Sequence, residues 1–374
     1  MPELEAKARI GSDPDRYAEL AASLLDRGEL GFAPPGASPT SVRGPVFPAW
    51  LALGMLASRS ARWIGFWASL PGLAAAVAIA HVLSRSPGKP AALVGGLIAA
   101  AHPLSCFVSA RLLPDEVYGA LLAMGVLAGI ASLRSGPGWA VAAGAAFAAA
   151  SLTRLTALGV LAVLVVMGLA AGARARRAAI VMAIVAAIPI GGWAVRTTSL
   201  AGAPTIVESL AGYNYWLGET ADRYGFRPGF AESRRLAHAL MHVDPGFHYA
   251  ALTPPEAHAL DARLSRDARR SIREAPFHFA KRLLTGLLWY WIRGESVSRT
   301  IQYAAVALPV VVLGVLGFRS RPREVPMVLI VAVVLLHVVV YAALCPMARY
   351  SVQLYPWLSY LAGFALRSSS ETPA

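Results

Sequence analysis

Charged residues are scarce in this chain of 374 residues: Asp, Glu, Lys and Arg together make up 15% of it, against about 25% in soluble domains. Hydrophobic residues make up 56%, and long runs of Ala, Leu, Val and Gly dominate after position 45. This composition argues against an ordinary soluble domain. It indicates an all-α protein that crosses a membrane many times.

Lysine is nearly absent. Only Lys7, Lys89 and Lys281 occur, so the formal net charge of +13 comes almost entirely from arginine. Many of the arginines lie in short loops between apolar runs, which is typical of membrane-topology signals and phosphate contacts. A nucleic-acid partner is therefore not expected.

Cysteine is also scarce. Cys106 and Cys345 are the only two, which excludes a disulfide framework and favours two free thiols, with a single pairing as the alternative. No Cys/His group has zinc spacing. The first ten residues, MPELEAKARI, contain no apolar core of a secretory signal peptide.

Apolar runs long enough to span a bilayer predict about nine transmembrane helices. They cover residues 63–84, 91–110, 117–133, 138–153, 155–172, 177–194, 302–318, 326–343 and 351–366. A further segment, 282–296, is apolar but short and rich in Trp and Tyr, which predicts a helix at the membrane interface.

The basic loops predict the orientation. If residues 1–62 lie outside, the two densest basic loops, ARARR and RSRPR, fall on the cytoplasmic side, as the positive-inside rule requires. The predicted regions are then an extracytoplasmic first loop with a juxtamembrane helix (1–62), a six-helix core (63–194), an extracytoplasmic segment with the interfacial helix (195–301), and three C-terminal spans with a short cytoplasmic tail (302–374).

Polar motifs gather on the outer face in this topology. Carboxylates beside a membrane can act as a general base or metal ligand, and guanidinium groups hold phosphate oxygens with several N–H donors. The motifs therefore favour transfer of a group carried on a lipid phosphate. They are SDPDRY with Asp13 and Asp15, SVRGP with Arg43, LLPDEVY with Asp115 and Glu116, and SLTRLT with Arg154, while Arg349 lies at a span end on the same side.

The same residues also have structural explanations. Asp13 and Asp15 suit the cap and first turn of the helix that follows them. Asp115 and Glu116 suit the start of a span. The arginines suit interfacial positions, from which long side chains reach the headgroups. For Arg154 a function is favoured, because it is almost the only polar residue in a turn between two apolar spans.

Six motifs follow one another between about residues 11 and 366: DPDRYAELAASLLDRGEL, RGPVFPAWLALG, RLLPDEVYGALLAMGV, ASLTRLTALGVLAV, WAVRTTSLAGAPTIVESLAGYNYWLGE and ARYSVQLYPWLSYLAG. In this order and at these distances they resemble the GT-C membrane glycosyltransferases. The resemblance is to the bacterial branch that uses polyprenyl-phosphate sugars and includes protein O-mannosyltransferase-like and aminoarabinose-transferase-like enzymes. It implies a GT-C-like helical bundle, with the family's first helix expected upstream of Met1.

The resemblance also implies roles for the acids. Asp13 matches the first-loop acid at the catalytic centre and is expected to act as the base. Asp15 is a candidate for support, because Pro14 follows Asp13 where the family often has Glu. Asp115 matches the second-loop acid, with Glu116 beside it. A divalent cation, Mg or Mn, held by Asp13 and Asp115 is the one cofactor left open.

The remaining roles follow in the same way. Arg43, Arg154 and Arg349 match positions that hold the phosphate of the donor. The acceptor or sugar region is expected to include Tyr213, Asn214 and Glu219.

The resulting hypothesis is an inverting glycosyltransferase of the inner (cytoplasmic) membrane, with its active site facing the periplasm or exterior. Its partners would be the bilayer, a polyprenyl-phosphate-linked sugar and an acceptor glycan, lipid or protein. Two alternatives remain. One is a transporter or flippase of lipid-linked glycans, which predicts inverted halves that the sequence does not display. The other is a non-catalytic GT-C-like membrane protein.

Overall fold

The structure, a computed structural model, is predominantly helical in the residues it describes. These are residues 13, 15–32, 39–85, 89–109, 111–135, 137–207, 211–223, 239, 252–294, 296–320 and 325–365. The β-pairing among them is a single isolated bridge between Gly31 and Pro39.

Helices are numbered in chain order along the described residues. They are α1 (Tyr17–Arg27), α2 (Val46–Ala57), α3 (Ala61–Arg85), α4 (Lys89–Ala101), α5 (Pro103–Ser109), α6 (Asp115–Ser135), α7 (Pro137–Thr153), α8 (Ala157–Ala170), α9 (Ala173–Ala201), α10 (Ala211–Arg223), α11 (Pro254–Glu274), α12 (Pro276–Ile292), α13 (Val297–Ser320), α14 (Val325–Ala343), a 3₁₀ helix (Ala348–Leu354) and α15 (Tyr355–Ala365).

Every predicted span contains a helix, so the expectation of an all-α membrane protein with many apolar helices is confirmed. Within the described residues, three stretches are long and apolar enough to cross a bilayer: Asp115–Ser132, Ala173–Ala201 and Val297–Arg319. Shorter apolar helices are Val46–Ala57, Gly138–Thr153, Ala157–Ala170 and Leu329–Ala343. The count of nine spans stays a prediction, as do the four predicted regions and their sides of the membrane.

Two predicted spans are not continuous α-helices. The span predicted over 91–110 breaks at His102, because Pro103 lacks an N–H group and disfavours helical backbone at the residue before it. The span predicted over 351–366 begins within the 3₁₀ helix Ala348–Leu354 and only then becomes α-helical. The segment predicted as interfacial, 282–296, lies largely in α12 and the residues that follow it.

The main core runs through most of the bundle, and one part of it lies where α6, α7 and α9 pack side by side. Phe147 of α7 is fully buried in it. A Cβ atom added to Gly144 of α7 would lie 2.7 Å from the carbonyl oxygen of Met182 in α9. The two helices therefore approach as closely as they do only because Gly144 has no side chain, as is common in membrane bundles.

The polar helix α1 is attached to the bundle through an apolar face of its own. Tyr17 and Leu20 of α1 pack with Phe47 and Leu51 of α2 and with Ile64 of α3. The rings of Tyr17 and Phe47 meet edge to face with centroids 4.9 Å apart, a favourable aromatic geometry. The acidic loop in front of α1 is thereby fixed at one end of the bundle.

A buried ion pair joins α10 to α12. Glu219 and Arg282 are 1% and 3% exposed, and Oε2 of Glu219 lies 3.2 Å from Nε of Arg282. The Oγ of Ser271 donates to Oε1 of Glu219 at 2.8 Å. Arg282 in turn donates to the carbonyl oxygens of Ala343 and Leu344, at 2.9 and 3.3 Å. The pair thus ties α10 and α11 to the end of α14.

Arg282→Met should therefore lower the free energy of unfolding by about 3–5 kcal/mol, because it leaves the Glu219 carboxylate buried without its cation. The double variant Arg282→Met/Glu219→Gln removes both charges, so its free energy of unfolding should fall by less than that of the single variant. Thermal and denaturant unfolding of the detergent-solubilised protein measures both, with the exposed neighbour Lys281→Met as control. A single variant as stable as the wild type would show that the pair does not clamp these helices.

Candidate functional site

Asp13 binds the N-terminus of α1. Its Oδ1 accepts a hydrogen bond from the backbone N–H of Tyr17 at 2.8 Å, and its Oδ2 accepts one from Ala18 at 2.7 Å. Arg16 lies between them with a left-handed φ of 58°, an uncommon conformation for a residue with a side chain. The capping explanation of Asp13 is therefore confirmed. It does not exclude chemistry, because each carboxylate oxygen has a further lone pair.

The environment of Asp13 favours its protonated form more than water does. The pKa of the Asp13 carboxyl is raised from 3.8 to about 6, chiefly by burial and to a smaller extent by the nearby Asp15, against the lowering effect of the two backbone N–H bonds and Arg43. A carboxyl group with a pKa near 6 is suited to act as a general base around neutral pH.

Asp15 forms an ion pair with Arg43. Their Oδ1 and Nη2 atoms are 2.7 Å apart, and the guanidinium carbon of Arg43 lies 5.6 Å from the ring centroid of Tyr17. Two motifs that are 28 residues apart in sequence thus meet in the fold.

The segment that carries Arg43 lies directly against the turn that carries Arg154. A Cβ atom on Gly44 would overlap the carbonyl oxygen of Leu152 and lie 3.6 Å from the Cα of Thr153. Gly44 is therefore required for this close backbone approach. The contact brings the second and fourth polar motifs together.

Arg154 pairs with Asp115 where α6 begins and α7 ends. Its Nη2 donates to Oδ1 of Asp115 at 2.9 Å, and the Asp115 side chain is fully buried. The Oδ2 of Asp115 and the Nε of Arg154 are buried without a hydrogen-bond partner in the described structure. Buried polar atoms normally have partners, so these two are exceptions to the usual pattern.

Tyr350 lies close to two guanidinium groups. The guanidinium carbons of Arg154 and Arg349 lie 5.2 and 4.7 Å from its ring centroid, within the range of cation–π attraction. Arg349 also donates to the Tyr350 hydroxyl at 2.8 Å. Asp15 and Asp115 both interact electrostatically with Arg349.

We call this group of residues the arginine site. It consists of Asp13, Asp15, Tyr17, Arg43, Asp115, Arg154, Arg349 and Tyr350. Its carboxylates and guanidinium groups come from separate polar segments, and every catalytic or phosphate-binding residue expected from the sequence belongs to it. Their roles in catalysis stay predictions.

Tyr17 and Tyr350 are the members of this site that the sequence did not single out as functional. Both stand near a chosen motif residue, Tyr17 four positions after Asp13 and Tyr350 directly after Arg349. Their closeness to charged motif residues is the signal by which they could have been found, since a tyrosine ring attracts a neighbouring guanidinium.

Glu116 has different surroundings from Asp115. Its carboxylate lies against Gly72 of α3, where an added Cβ would overlap Oε2, whereas Asp115 lies against Arg154. The two acids are adjacent in sequence, but their side chains contact different parts of the fold. A supporting role of Glu116 in catalysis stays a prediction.

The residues expected at the acceptor or sugar region lie in α10. The backbone N–H of Tyr213 donates to Asp261 at 3.0 Å, and its side chain packs in a cluster with Val42, the residue before Arg43. Asn214 is half-buried on the same helix, while Glu219 is engaged in the ion pair described above. Binding of an acceptor or sugar by these residues stays a prediction.

A metal at Asp13 and Asp115 also stays a prediction. Among the residues that the structure describes, no three His, Cys, Asp or Glu side chains cluster as they would around a metal ion. Oδ1 of Asp115 contacts Arg154, and both oxygens of Asp13 accept backbone hydrogen bonds. These surroundings do not resemble the oxygen-rich shell that Mg²⁺ or Mn²⁺ prefers.

The two cysteines are free, as expected. Cys106 is exposed and Cys345 is buried.

Comparison with known proteins gives likenesses of fold. No protein-family model and no curated protein sequence matches the chain. Among solved structures, the chain is similar to ArnT from Cupriavidus metallidurans in the apo state, with 18% identity, 95% of this chain and 72% of that chain covered, and a TM-score of 0.38. It is also similar to ArnT from the same organism bound to undecaprenyl phosphate, with 17% identity, 94% and 72% covered, and a TM-score of 0.40.

ArnT is an aminoarabinose transferase of the GT-C family, the type of enzyme that the sequence motifs resemble. Identities of 17 and 18% and TM-scores of 0.40 or less are too low to support an inference about function.

Substitution of Gly44 tests whether the site depends on the backbone contact between the Arg43 and Arg154 segments. Gly44→Ala should destabilise the protein by about 1–3 kcal/mol, because the new methyl group overlaps a backbone oxygen that has little room to move. Gly65→Ala is the matched control, since an added Cβ there has nothing within 4 Å. Equal thermal stability of the two variants would contradict the close contact.

Proposed function

We propose that the protein is a membrane glycosyltransferase. In this proposal it transfers a sugar from a polyprenyl-phosphate donor to a hydroxyl group of an acceptor lipid, glycan or protein at the extracytoplasmic face, with inversion at the anomeric carbon. The main support is the arginine site itself, where guanidinium groups from separate segments converge beside carboxylates at one end of an apolar bundle. The motif resemblance gives additional support.

A phosphate group fits the chemistry of this site. Arg154 and Arg349 share the ring of Tyr350, and the Nε of each is buried without a hydrogen-bond partner in the described structure. Guanidinium groups donate to phosphate oxygens in a fork geometry. An anion bound there would relieve the repulsion between the two cations, so a lipid phosphate would be held at the rim of the bundle.

The same groups would stabilise the leaving group. As the bond between the anomeric carbon and the phosphate oxygen breaks, negative charge grows on the phosphate. Fixed cations that already face this position lower the barrier without reorganising. In this scheme Asp115 holds the guanidinium of Arg154 in place through the 2.9 Å contact.

Asp13 would be the general base. It would take the proton from the acceptor hydroxyl while that oxygen attacks the anomeric carbon on the face opposite the phosphate. One C–O bond forms, the other breaks, the proton remains on Asp13, and the configuration is inverted. The pKa of about 6 makes Asp13 a stronger base than an exposed aspartate and keeps it largely ionised at pH 7.

The acceptor would approach past α10 and α11. Tyr213 packs with Val42, next to Arg43, and α10 is fixed to the end of α14 through the Glu219–Arg282 pair. This rigid edge adjoins the arginine site and offers tyrosine faces, on which sugars commonly stack. In this proposal it is the surface that selects the acceptor.

Asp13→Asn removes the proposed base and keeps part of the cap. Asparagine retains one of the two acceptor oxygens that bind the N–H groups of Tyr17 and Ala18, so the protein should still fold with somewhat lower thermal stability, whereas transfer should fall by about 10²–10⁴-fold because the base is lost. Transfer of radiolabelled sugar from candidate polyprenyl-phosphate sugars measures the rate. Asp26→Asn, in an exposed ion pair at the other end of α1, is the control. Wild-type rates in Asp13→Asn would remove Asp13 from the mechanism.

The dependence of the transfer rate on pH also tests the role of Asp13. Because the base must be ionised, the wild-type rate at low donor concentration should rise as the pH increases through about 6, the pKa of Asp13. A rate that is unchanged between pH 5 and 7 would contradict this role.

A further inference from the structure

A chain of hydrogen-bonding side chains lies beneath the arginine site. Tyr118 of α6 is fully buried, and its hydroxyl oxygen lies 2.9 Å from Oγ1 of Thr156 and 2.8 Å from Nε2 of His337. Thr156 is two residues after Arg154, and Tyr118 is one helical turn after Asp115. The segments joined by the Asp115–Arg154 ion pair are thus joined a second time.

Thr156 does not use its hydroxyl in the usual way. It is the N-cap residue of α8, where threonine normally accepts a hydrogen bond from the first turn of the helix. Here its side chain makes no capping hydrogen bond and contacts Tyr118 instead. The backbone of Thr156 is already helical, with φ −58° and ψ −24°, which is not the capping conformation, so its hydroxyl bonds across to α6 and not to its own helix.

The donors and acceptors of the chain can be assigned. Nδ1 of His337 lies 3.0 Å from the carbonyl oxygen of Val333, which can only accept, so Nδ1 carries a proton. In the neutral imidazole Nε2 is then an acceptor, and Tyr118 must donate to it. The hydroxyl of Tyr118 is thereby free to accept from Thr156. The hydrogen bonds run in one direction, from Thr156 through Tyr118 to His337.

A second connection runs from His337 to the guanidinium groups. Tyr341 lies one turn after His337 on α14, and its hydroxyl is 3.5 Å from Oγ1 of Thr156. Its ring stacks on the ring of Tyr350 with centroids 4.6 Å apart and planes at 18°. Tyr350 is the ring that both arginines share. Helix α14 therefore contacts the surroundings of the arginine site twice, through His337 to Tyr118 and through Tyr341 to Tyr350.

We infer that Tyr118, Thr156 and His337 are positioning residues that hold the guanidinium of Arg154 in the orientation that binds the donor phosphate. The inference rests on the proposed function. A lone ion pair leaves a long arginine side chain free to rotate, whereas a second link between the same two segments fixes the turn beneath it. Buried polar groups are costly in an apolar bundle unless they are fully bonded, and intramembrane ionisable residues commonly serve function.

The first test observes the imidazole directly. In ¹⁵N-histidine-labelled protein, the resonances that disappear in His337→Phe belong to His337. They should report a proton on Nδ1 and a bare Nε2, and the Nε2 resonance should shift in Tyr118→Phe. A proton on Nε2, or an Nε2 resonance that Tyr118→Phe leaves unchanged, would overturn the chain.

The second test measures the affinity for undecaprenyl phosphate. Thr156→Val, which removes only the hydroxyl, should weaken binding about five- to tenfold, the scale of one hydrogen bond. In an Arg154→Ala background it should have no further effect, because Thr156 acts through Arg154. The same loss in both backgrounds, or none in either, would overturn the positioning role.

The matched control is Thr197→Val, since the Thr197 hydroxyl donates to the carbonyl oxygens of Trp193 and Thr205 in another part of the fold. Thr197→Val should leave the affinity for undecaprenyl phosphate unchanged, while it lowers thermal stability about as much as Thr156→Val does. Wild-type protein that fails to bind the lipid would overturn the proposed function, whereas the imidazole spectrum decides the hydrogen-bond chain by itself.

Discussion

The ion pair between Asp115 and Arg154 is the interaction on which the rest of the site depends. Two apolar helices, α7 and α8, meet in a turn whose guanidinium is held against a fully buried carboxylate. Removing either charge would leave the other buried and unpaired, at a cost of about 3–5 kcal/mol. Around this pair the fold gathers an aromatic ring, a second arginine and an acidic loop. The bundle therefore accepts an expensive group of charges at one end, which is typical of a functional site.

Several features of the fold serve to keep these charges in register. Gly44 lets the Arg43 segment lie on the backbone of the Arg154 turn. The apolar face of α1 fixes the loop that contains Asp13 and Asp15. The Glu219–Arg282 pair attaches α10 to the end of α14, close to the segment that carries Arg349. Each contact connects a polar segment to a rigid helix, so the geometry of the site is set by helix packing and not by loop conformation alone.

Hydropathy was sufficient to predict that each apolar run contains a helix, because apolar runs of this length can satisfy their backbone groups only within a helix. The break at His102 could have been predicted from Pro103. The sequence also identified the charged members of the site, since charges are conspicuous among apolar residues. It offered capping and catalysis as alternative roles for Asp13, and it could not show that one side chain caps α1 and also lies in the arginine site. Nor could it show that Glu219 pairs with Arg282 from a distant helix. Tyr350 could have been found from its position next to Arg349, whereas His337 could not, because its contact with Tyr118 depends on which helices become neighbours.

The account depends most on the claim that guanidinium groups from separate segments hold one lipid phosphate. The most direct measurement is a double-mutant cycle for undecaprenyl phosphate binding with Arg43→Ala and Arg154→Ala, using Arg59→Ala, in an exposed ion pair, as control. Each single variant should weaken binding at least tenfold, and the double variant should lose less than the product of the two losses, because both arginines act on the same phosphate. Binding that is unchanged in both single variants, or losses that multiply independently, would contradict a shared phosphate site.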